Sequence, residues 1–242
     1  MLTARGKQIR KDAYLLSKKI GGYHYGGTFS SIEILYTLYD KVLTKDDKFI
    51  LSKGHSCWGL YVLLKERGLN PPTDCHPYRD PANGIDWTTG SEGHGLPAGL
   101  GIAFAKFKLG KPGKVFVMLG DGECQEGTTW ESLLLGGKHN LNNVVAIVDN
   151  NKIQGSGFVD DILPVGDKMS VVASACGWKT KTIDGHNEDE IYSALTEKST
   201  APLFIIANTV KGKGVSYMEN KPEWHSKWPN VAEESKLLEE LS

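Results

Sequence analysis

Two polar turns, each at the end of an apolar run, hold the residues best suited to chemistry. The run from Val115 to Leu119 breaks at Gly120-Asp121-Gly122, and the run from Val144 to Val148 ends at Asn150-Asn151. Asp121 and Asn151 offer hard oxygen atoms. Gly120 and Gly122 carry no Cβ, so their backbone can approach a phosphate group closely. Magnesium takes near-octahedral oxygen coordination and shares its sites with phosphates. The two turns together suit a clamp for a Mg2+-bound diphosphate. A lone Asp-Gly pair would carry little weight, because both residues dominate ordinary turns.

The elements around these turns explain how they would meet. A helical stretch from about Thr128 to His139 lies between the two apolar runs, so the order is strand, turn, helix, strand. Such a βαβ unit places both turns at one edge of a parallel sheet. That edge is where open α/β sheets bind ligands. Phe49–Leu51 reads as a further short strand, and Pro202 to Val210 as a fully buried parallel one. The spacing predicts a doubly wound, mostly parallel α/β sheet with helices on both faces.

Residues 2–20 form an amphipathic helix with Ile9, Ala13, Leu15, Leu16 and Ile20 as its apolar positions, and Gly21-Gly22 stops it. Residues 23–30 read as a glycine-rich loop. Ser30 or Ser31 would cap the next helix, with Glu33 completing a capping box. Four prolines, three glycines and no periodicity make 68–90 a long loop, the kind that is usually functional or disordered. The Gly/Ala-rich helix after Gly95 permits close packing, as a subunit interface requires. Residues 155–167 are polar and turn-rich, and residues 231–242 predict a short acidic helix or tail.

Composition narrows the class. The 242 residues suffice for one large domain, 1–242, with 220–242 as a C-terminal extension. A net charge of −1 favours neither nucleic acid nor a membrane surface. No apolar run approaches the ~20 residues that span a bilayer. Cys57, Cys75, Cys124 and Cys176 show no C-x-x-C spacing and suit a reducing compartment, so the expectation is a soluble cytoplasmic protein.

Histidines are the remaining candidates, and local sequence leaves each open. His24 is a loop residue that could simply bond backbone, and His225 could be a surface residue in a Pro/Trp-rich segment. His55 would sit where a strand runs into a helix, either capping it or facing an anion there.

Twenty-seven residues separate Gly122 from Asn150, and this spacing resembles the GDG-to-NN signature of thiamine diphosphate enzymes. The residues Gly120-Asp121-Gly122-Glu123-Cys124-Gln125-Glu126-Gly127, Trp130-Glu131 and Asn151-Lys152-Ile153-Gln154-Gly155 resemble the transketolases in particular. The resemblance implies that Asp121, the Asn151 side chain and the Ile153 carbonyl hold Mg2+, or Ca2+ or Mn2+ in its place. It puts Gly120, Gly122, Glu123 and Asn151 at the thiamine diphosphate. Ser52-Lys53-Gly54-His55 and Trp224-His225 match family elements that place His55 and His225 beside the diphosphate, His225 also serving catalysis. Residues 23–30 resemble G-H-x-G-G-x-x-S, with Tyr23 replacing the first glycine, and this puts His24 on the substrate. His76-Pro77 is similar to the family's G-H-P element, with Cys75 in place of glycine, and this puts His76 in the substrate channel. Gly90-Ser91-Glu92-Gly93 resembles G-S-L-G-x-G, whose backbone meets the aminopyrimidine ring, which implicates Gly90 and Glu92. Glu92 departs from the usual leucine: it either turns into solvent, the favoured reading, or reads a polar feature of an unusual substrate. Glu126 and Glu131 match glutamates of the family's subunit interface. His186, in a D-G-H element, is structural.

The resemblance covers nearly the whole chain but only the first third or so of a complete transketolase. It implies a partner chain of roughly three hundred residues carrying the pyrimidine-binding domain and the activating glutamate, with two copies of each chain. The reaction would move a two-carbon ketol unit from a ketose to an aldose, either of them a free sugar or a sugar phosphate. The alternatives are another thiamine-dependent enzyme, deoxyxylulose-phosphate synthase-like or 2-oxo acid dehydrogenase-like, and a non-catalytic cofactor-binding module. The Ser52–His55 and Trp224-His225 elements argue against the first, and the intact metal set against the second.

Overall fold

Strands whose side chains are apolar on both faces need helices on both sides. The computed structural model describes residues 2–165 and 168–242 and shows that arrangement. The strands are β1 (Lys48–Leu51), β2 (Val115–Gly120), β3 (Val144–Asn150), a small hairpin of β4 (Ile153–Gln154) and β5 (Gly157–Phe158), then β6 (Lys179–Asp184) and β7 (Leu203–Asn208). The main sheet runs β1-β2-β3-β7-β6 with every neighbouring pair parallel, while the hairpin is antiparallel. The first helices are α1 (Ala4–Ile20), α2 (Tyr25–Ser30), α3 (Ile32–Thr37), α4 (Trp58–Glu66) and α5 (Gly95–Lys108). After them come α6 (Gly127–Lys138), α7 (Val159–Ile162), α8 (Lys168–Ala175), α9 (Glu188–Leu195) and α10 (Val231–Glu240).

Strand alternation divides the core in two. Phe116, Met118, Val145, Ile147, Leu203 and Ile205 pack under α1, α3, α4 and α9. Val115, Val117, Leu119, Val144, Ala146, Phe204 and Ile206 pack under α5, α6 and α8. Helix α5 approaches β2 through Gly99, where a Cβ would stand 2.4 Å from Val117 Cγ2. A side chain there would push the helix off the sheet.

Several local expectations are corrected. Helix α1 buries Ile9, Arg10, Ala13, Tyr14 and Ser17 but leaves Leu15 and Ile20 exposed. Two surfaces cover it: one side meets α3 and α4, and Tyr14 meets the C-terminal segment. Residues 25–30 are helical rather than loop, entered through His24 in the left-handed region at φ 69°. Neither serine caps α3: Ser30 Oγ donates to the Gly27 carbonyl and to Asp149, and Ser31 Oγ to the Gly27 and Thr28 carbonyls. Glu33 cannot close a capping box because Arg10 and His186 hold it. Within 68–90, a short 3-10 turn at Pro81–Asn83 and one bridge between Asp80 and Ile85 are the regular features.

The end of the chain packs back on its beginning. Trp224, Leu237 and Leu241 join Tyr14, Tyr25, Phe29, Val215 and Met218 in a third apolar cluster. A capping box between Asn230 and Glu233 starts α10. This packing pins the segment that carries His225. Residues 166 and 167, the end of the polar stretch 155–167, lie outside the described residues. Among the described residues no helix is long and apolar enough to cross a membrane, and the four cysteines are free thiols.

Candidate functional site

Four adjacent strands end at one edge of the sheet, and each hands its next residues to the same cleft. β1 leads to Lys53 and His55, β2 to Asp121 and Glu123, β3 to Asn151, and β7 to Lys211. With Ile153 and Gln154 of the hairpin, Glu92 and His225, they line a cavity of about 250 Å³.

The oxygen atoms lie at its floor. Asp121 accepts from its neighbour Gly122 N at 2.8 Å and from Lys152 N, which ties the β2 turn to the β3 turn. Asn151 Oδ1 accepts from Ile153 N at 3.1 Å, and Asn151 Nδ2 donates to Asp149 at 3.1 Å. Burial and the nearby Asp149 charge raise the Asp121 carboxyl to about 6, against bonds from Lys152 N and Gly122 N. Gln154 Oε1, buried beside Gly122, has no hydrogen-bond partner among the described residues. The set is negative and oxygen-rich, and Gln154 Oε1 alone of these oxygens lacks a donor. Hard oxygen ligands of this kind fit Mg2+ or Ca2+. The Lys211 ammonium donates to the Ile153 carbonyl at 2.6 Å, so a metal ion on that oxygen would take the place the ammonium holds.

Two buried lysines face this floor. Lys53 is paired with Asp149, near the carboxyl end of β3, and donates to the Gly27 carbonyl at 3.0 Å. Burial would raise the Asp149 carboxyl, but the Lys53 charge and bonds from Lys53, Ser30 and Thr209 outweigh it and hold it below the usual range. Lys211 is pushed down to about 8 by burial and by Lys53. Cations held this way suit a phosphate-bearing ligand.

Three histidines from distant parts of the chain meet beside Lys211. The ring centroids of His24, His55 and His225 are 5.1 to 5.2 Å apart. Partners set their protons. His24 Nδ1 lies 2.7 Å from the His225 carbonyl, which only accepts, so Nδ1 carries the proton and Nε2 has the free lone pair. His225 Nδ1 lies 3.0 Å from the Lys211 ammonium, so its proton is on Nε2, beside Gly155. Burial lowers His24, burial and Lys211 push His225 down to about 2, and burial and Lys53 lower His55. All three are neutral at neutral pH.

The structure places the remaining candidates unevenly. Glu123 lines the cavity, yet its carboxylate is engaged by Ser52 Oγ, by Gly93 N at 2.9 Å and by Gly120 N at 3.0 Å. It ties three loops together. Gly90 lies outside the lining, at φ 138°, where a Cβ would stand 3.1 Å from the His76 ring. His76 therefore stands at the edge of the cleft rather than in its wall. Glu92 does not simply turn into solvent: its Oε1 is 3.1 Å from His55 Nδ1. Glu126 lines the cavity and Glu131 is exposed on α6. His186 bonds Glu33 at 2.9 Å and accepts from Val210 N at 2.9 Å, a structural role.

Local sequence assigns no role of their own to Lys53, Lys211, Asp149 or Gln154. A signal existed for Asp149 and Lys53, since charges flanking fully apolar runs must find partners when buried. Their pairing spans 96 positions and is invisible locally.

A parallel α/β sheet with an oxygen-and-lysine cleft at its carboxyl edge defines a diphosphate-binding domain, and comparison with known proteins makes the class specific. Residues 7–238 match the family model described as "Transketolase, thiamine diphosphate binding domain", and the chain belongs to that family. One subunit of the apulose-4-phosphate transketolase of Actinobacillus succinogenes is 36% identical over 99% of this chain and 95% of its own length. The 6-deoxy-6-sulfo-D-fructose transketolase subunit SqwG of a Clostridium species is 36% identical over 90% of this chain and 88% of its own. Mouse transketolase is 34% identical over 91% of this chain but only 38% of its own length. Among solved structures, transketolase from Campylobacter jejuni superposes with TM-score 0.86 at 27% identity, covering 98% of this chain and 42% of that one. Transketolase from Leishmania mexicana, at 22% identity, shares the fold with TM-score 0.90. The chain is the thiamine diphosphate-binding component of a transketolase-type transferase.

Proposed function

We propose that the cleft holds Mg2+ and the diphosphate of thiamine diphosphate, and that the chain transfers ketol units only together with a second chain. The observation that carries this reading is the meeting of Asp121, Asn151 and Ile153 with buried Lys53 and Lys211 at one sheet edge. When bound, thiamine diphosphate supplies an electron sink next to a carbonyl carbon, which lets a two-carbon unit leave a ketose and join an aldose. Asp121, the Asn151 side chain and the Ile153 carbonyl hold the metal. Lys211 and His225 Nε2–H face phosphate oxygens as donors. His24 Nε2, bearing a lone pair, accepts a proton from a substrate hydroxyl and returns it. His76 and Gly90 form the approach to the site.

Both subunit relatives are named for ketoses with an anionic end, one a 4-phosphate and one a 6-sulfo sugar. A ketose of that class is the donor proposed here. The partner chain contributes the pyrimidine side and the activating carboxylate, in a complex of two copies of each, and Glu126 and Glu131 lie toward it. The free thiols suit the cytoplasm. Residues 1–242 act as one diphosphate-side domain. Light-scattering mass and a ketol-transfer assay, on the chain alone and mixed with the partner, test this reading. Turnover only in the mixture, at the mass of two copies each, is expected. Robust turnover by the lone chain would remove the two-chain reading.

A further inference from the structure

The three clustered histidines do not offer the same edge to a ligand. His225 presents a donor, through Nε2–H, whereas His55 presents an acceptor. Its Nδ1 lies 3.1 Å from Glu92 Oε1; with Glu92 ionised, as at pH 8, the carboxylate only accepts, so Nδ1 carries the proton and Nε2 is bare. Nε2 lies toward Gly27 of α2, where a Cβ would stand 3.3 Å from it, 2.4 Å from Ser56 Oγ and 3.6 Å from Lys53 Nζ, so it shares the lysine's side of the cleft. A bare imidazole nitrogen repels phosphate oxygens. His55 lines the same cleft as the two lysines, so a phosphate-bearing ligand and the His55 lone pair conflict unless a proton arrives.

Glu92 resolves the conflict. An imidazolium between a phosphate and a carboxylate donates to both, one N–H to each, with no donor or acceptor wasted. The charge that would be costly in the empty cleft becomes favourable once an anion enters.

We propose that Glu92 is a positioning residue for His55, and that the pair takes up one proton when the diphosphate of the cofactor binds. This rests on the diphosphate reading of the cleft. The proton comes from solvent and goes to His55 Nε2, and no covalent bond changes. Lys53, His76 and Lys211 favour an ionised Glu92 and oppose a charged His55, whereas Glu126 opposes an ionised Glu92. His24 and His225 also face the His55 ring, and Glu123 faces Glu92 from the β2 turn. These groups are common to the wild-type chain and its variants. The difference between variants therefore isolates Glu92.

The experiment is calorimetry of thiamine diphosphate with Mg2+, at pH 8 in two buffers of different ionisation heat, on the chain with its partner subunit. Wild type should take up about one proton more per site than Glu92→Leu. Glu92→Gln should lose the same uptake, yet keep the Nδ1–H form of His55 in 15N NMR of the free chain, because the amide oxygen still accepts. Glu92→Leu should lose that preference. Equal uptake in wild type and Glu92→Leu, with cofactor bound to both, would overturn the pairing and leave the diphosphate reading standing. Absence of any binding heat in wild type would overturn both. A variant that failed to fold would show itself in the NMR spectrum, and wild-type uptake near zero would by itself contradict the proposal.

Discussion

Glu33 and Asp121 are buried to the same degree, each 2% exposed, yet their surroundings answer that burial in opposite ways. Glu33 receives both arms of Arg10 at 2.7 Å and His186 Nδ1 at 2.9 Å. Burial alone would raise its carboxyl, but His186 and Arg10 overcome that and hold it at about 2. Asp121 has only two backbone N–H groups, with Asp149 close by, and its carboxyl rises to about 6. One carboxylate is complete within the chain and joins α1 to α3 and to the turn after β6. The other is incomplete, and the missing charge is what a cation would bring. Buried charge that the fold uses is paired internally, whereas buried charge kept for a ligand is left short.

Breaking the complete site should cost stability and nothing else. Arg10→Ala leaves Glu33 buried with one partner and should destabilise the chain by ~3–5 kcal/mol in urea unfolding. Thiamine diphosphate affinity of the folded variant should stay at the wild-type value. A loss below ~1 kcal/mol would mean that the pair contributes little beyond its own desolvation.

His24→Ala belongs to the other region and should show the reverse pattern. In the two-chain complex at saturating cofactor, kcat/KM should fall by ~2–4 kcal/mol in transition-state terms, with cofactor affinity and melting unchanged. A fully active variant would remove His24 from the proton path.

Acid separates the two regions more gently. Glu33 has a folded pKa below its ordinary value of 4.5, so its contribution is fully present above that pH and is lost as pH falls toward about 2. The loss should reach roughly 2–3 kcal/mol across that window. Urea midpoints of wild type and Glu33→Gln, measured from pH 6 to pH 2, should converge as pH falls. Parallel curves would contradict the assignment.

The parts of this molecule set by local pattern were readable in the sequence. The apolar runs at 115–119, 144–148 and 203–206 alternate between two cores, and turn residues follow them closely enough to locate the cleft edge. What escaped depends on contacts between distant residues. Helix α2 contains Gly26 and Gly27, poor helix formers, and forms because Tyr25 and Phe29 bury against Trp224 and Leu237 from the other end of the chain. Leu15 and Ile20 look like core by spacing, yet α1 turns Arg10 inward because Glu33 waits there. Likewise Glu92 reads as a surface carboxylate until His55 is placed beside it, 37 positions away.

The central claim, that Asp121 belongs to a cation-dependent diphosphate clamp, is tested most directly by calorimetric titration of thiamine diphosphate with and without Mg2+. Wild type and Asp121→Ala would be compared in the two-chain complex. Wild type should bind tightly only with the metal. Asp121→Ala should lose at least about 100-fold in metal-dependent affinity while melting as a folded chain, because the residue lies in a turn outside the apolar core. Metal-dependent affinity unchanged in Asp121→Ala would contradict the account.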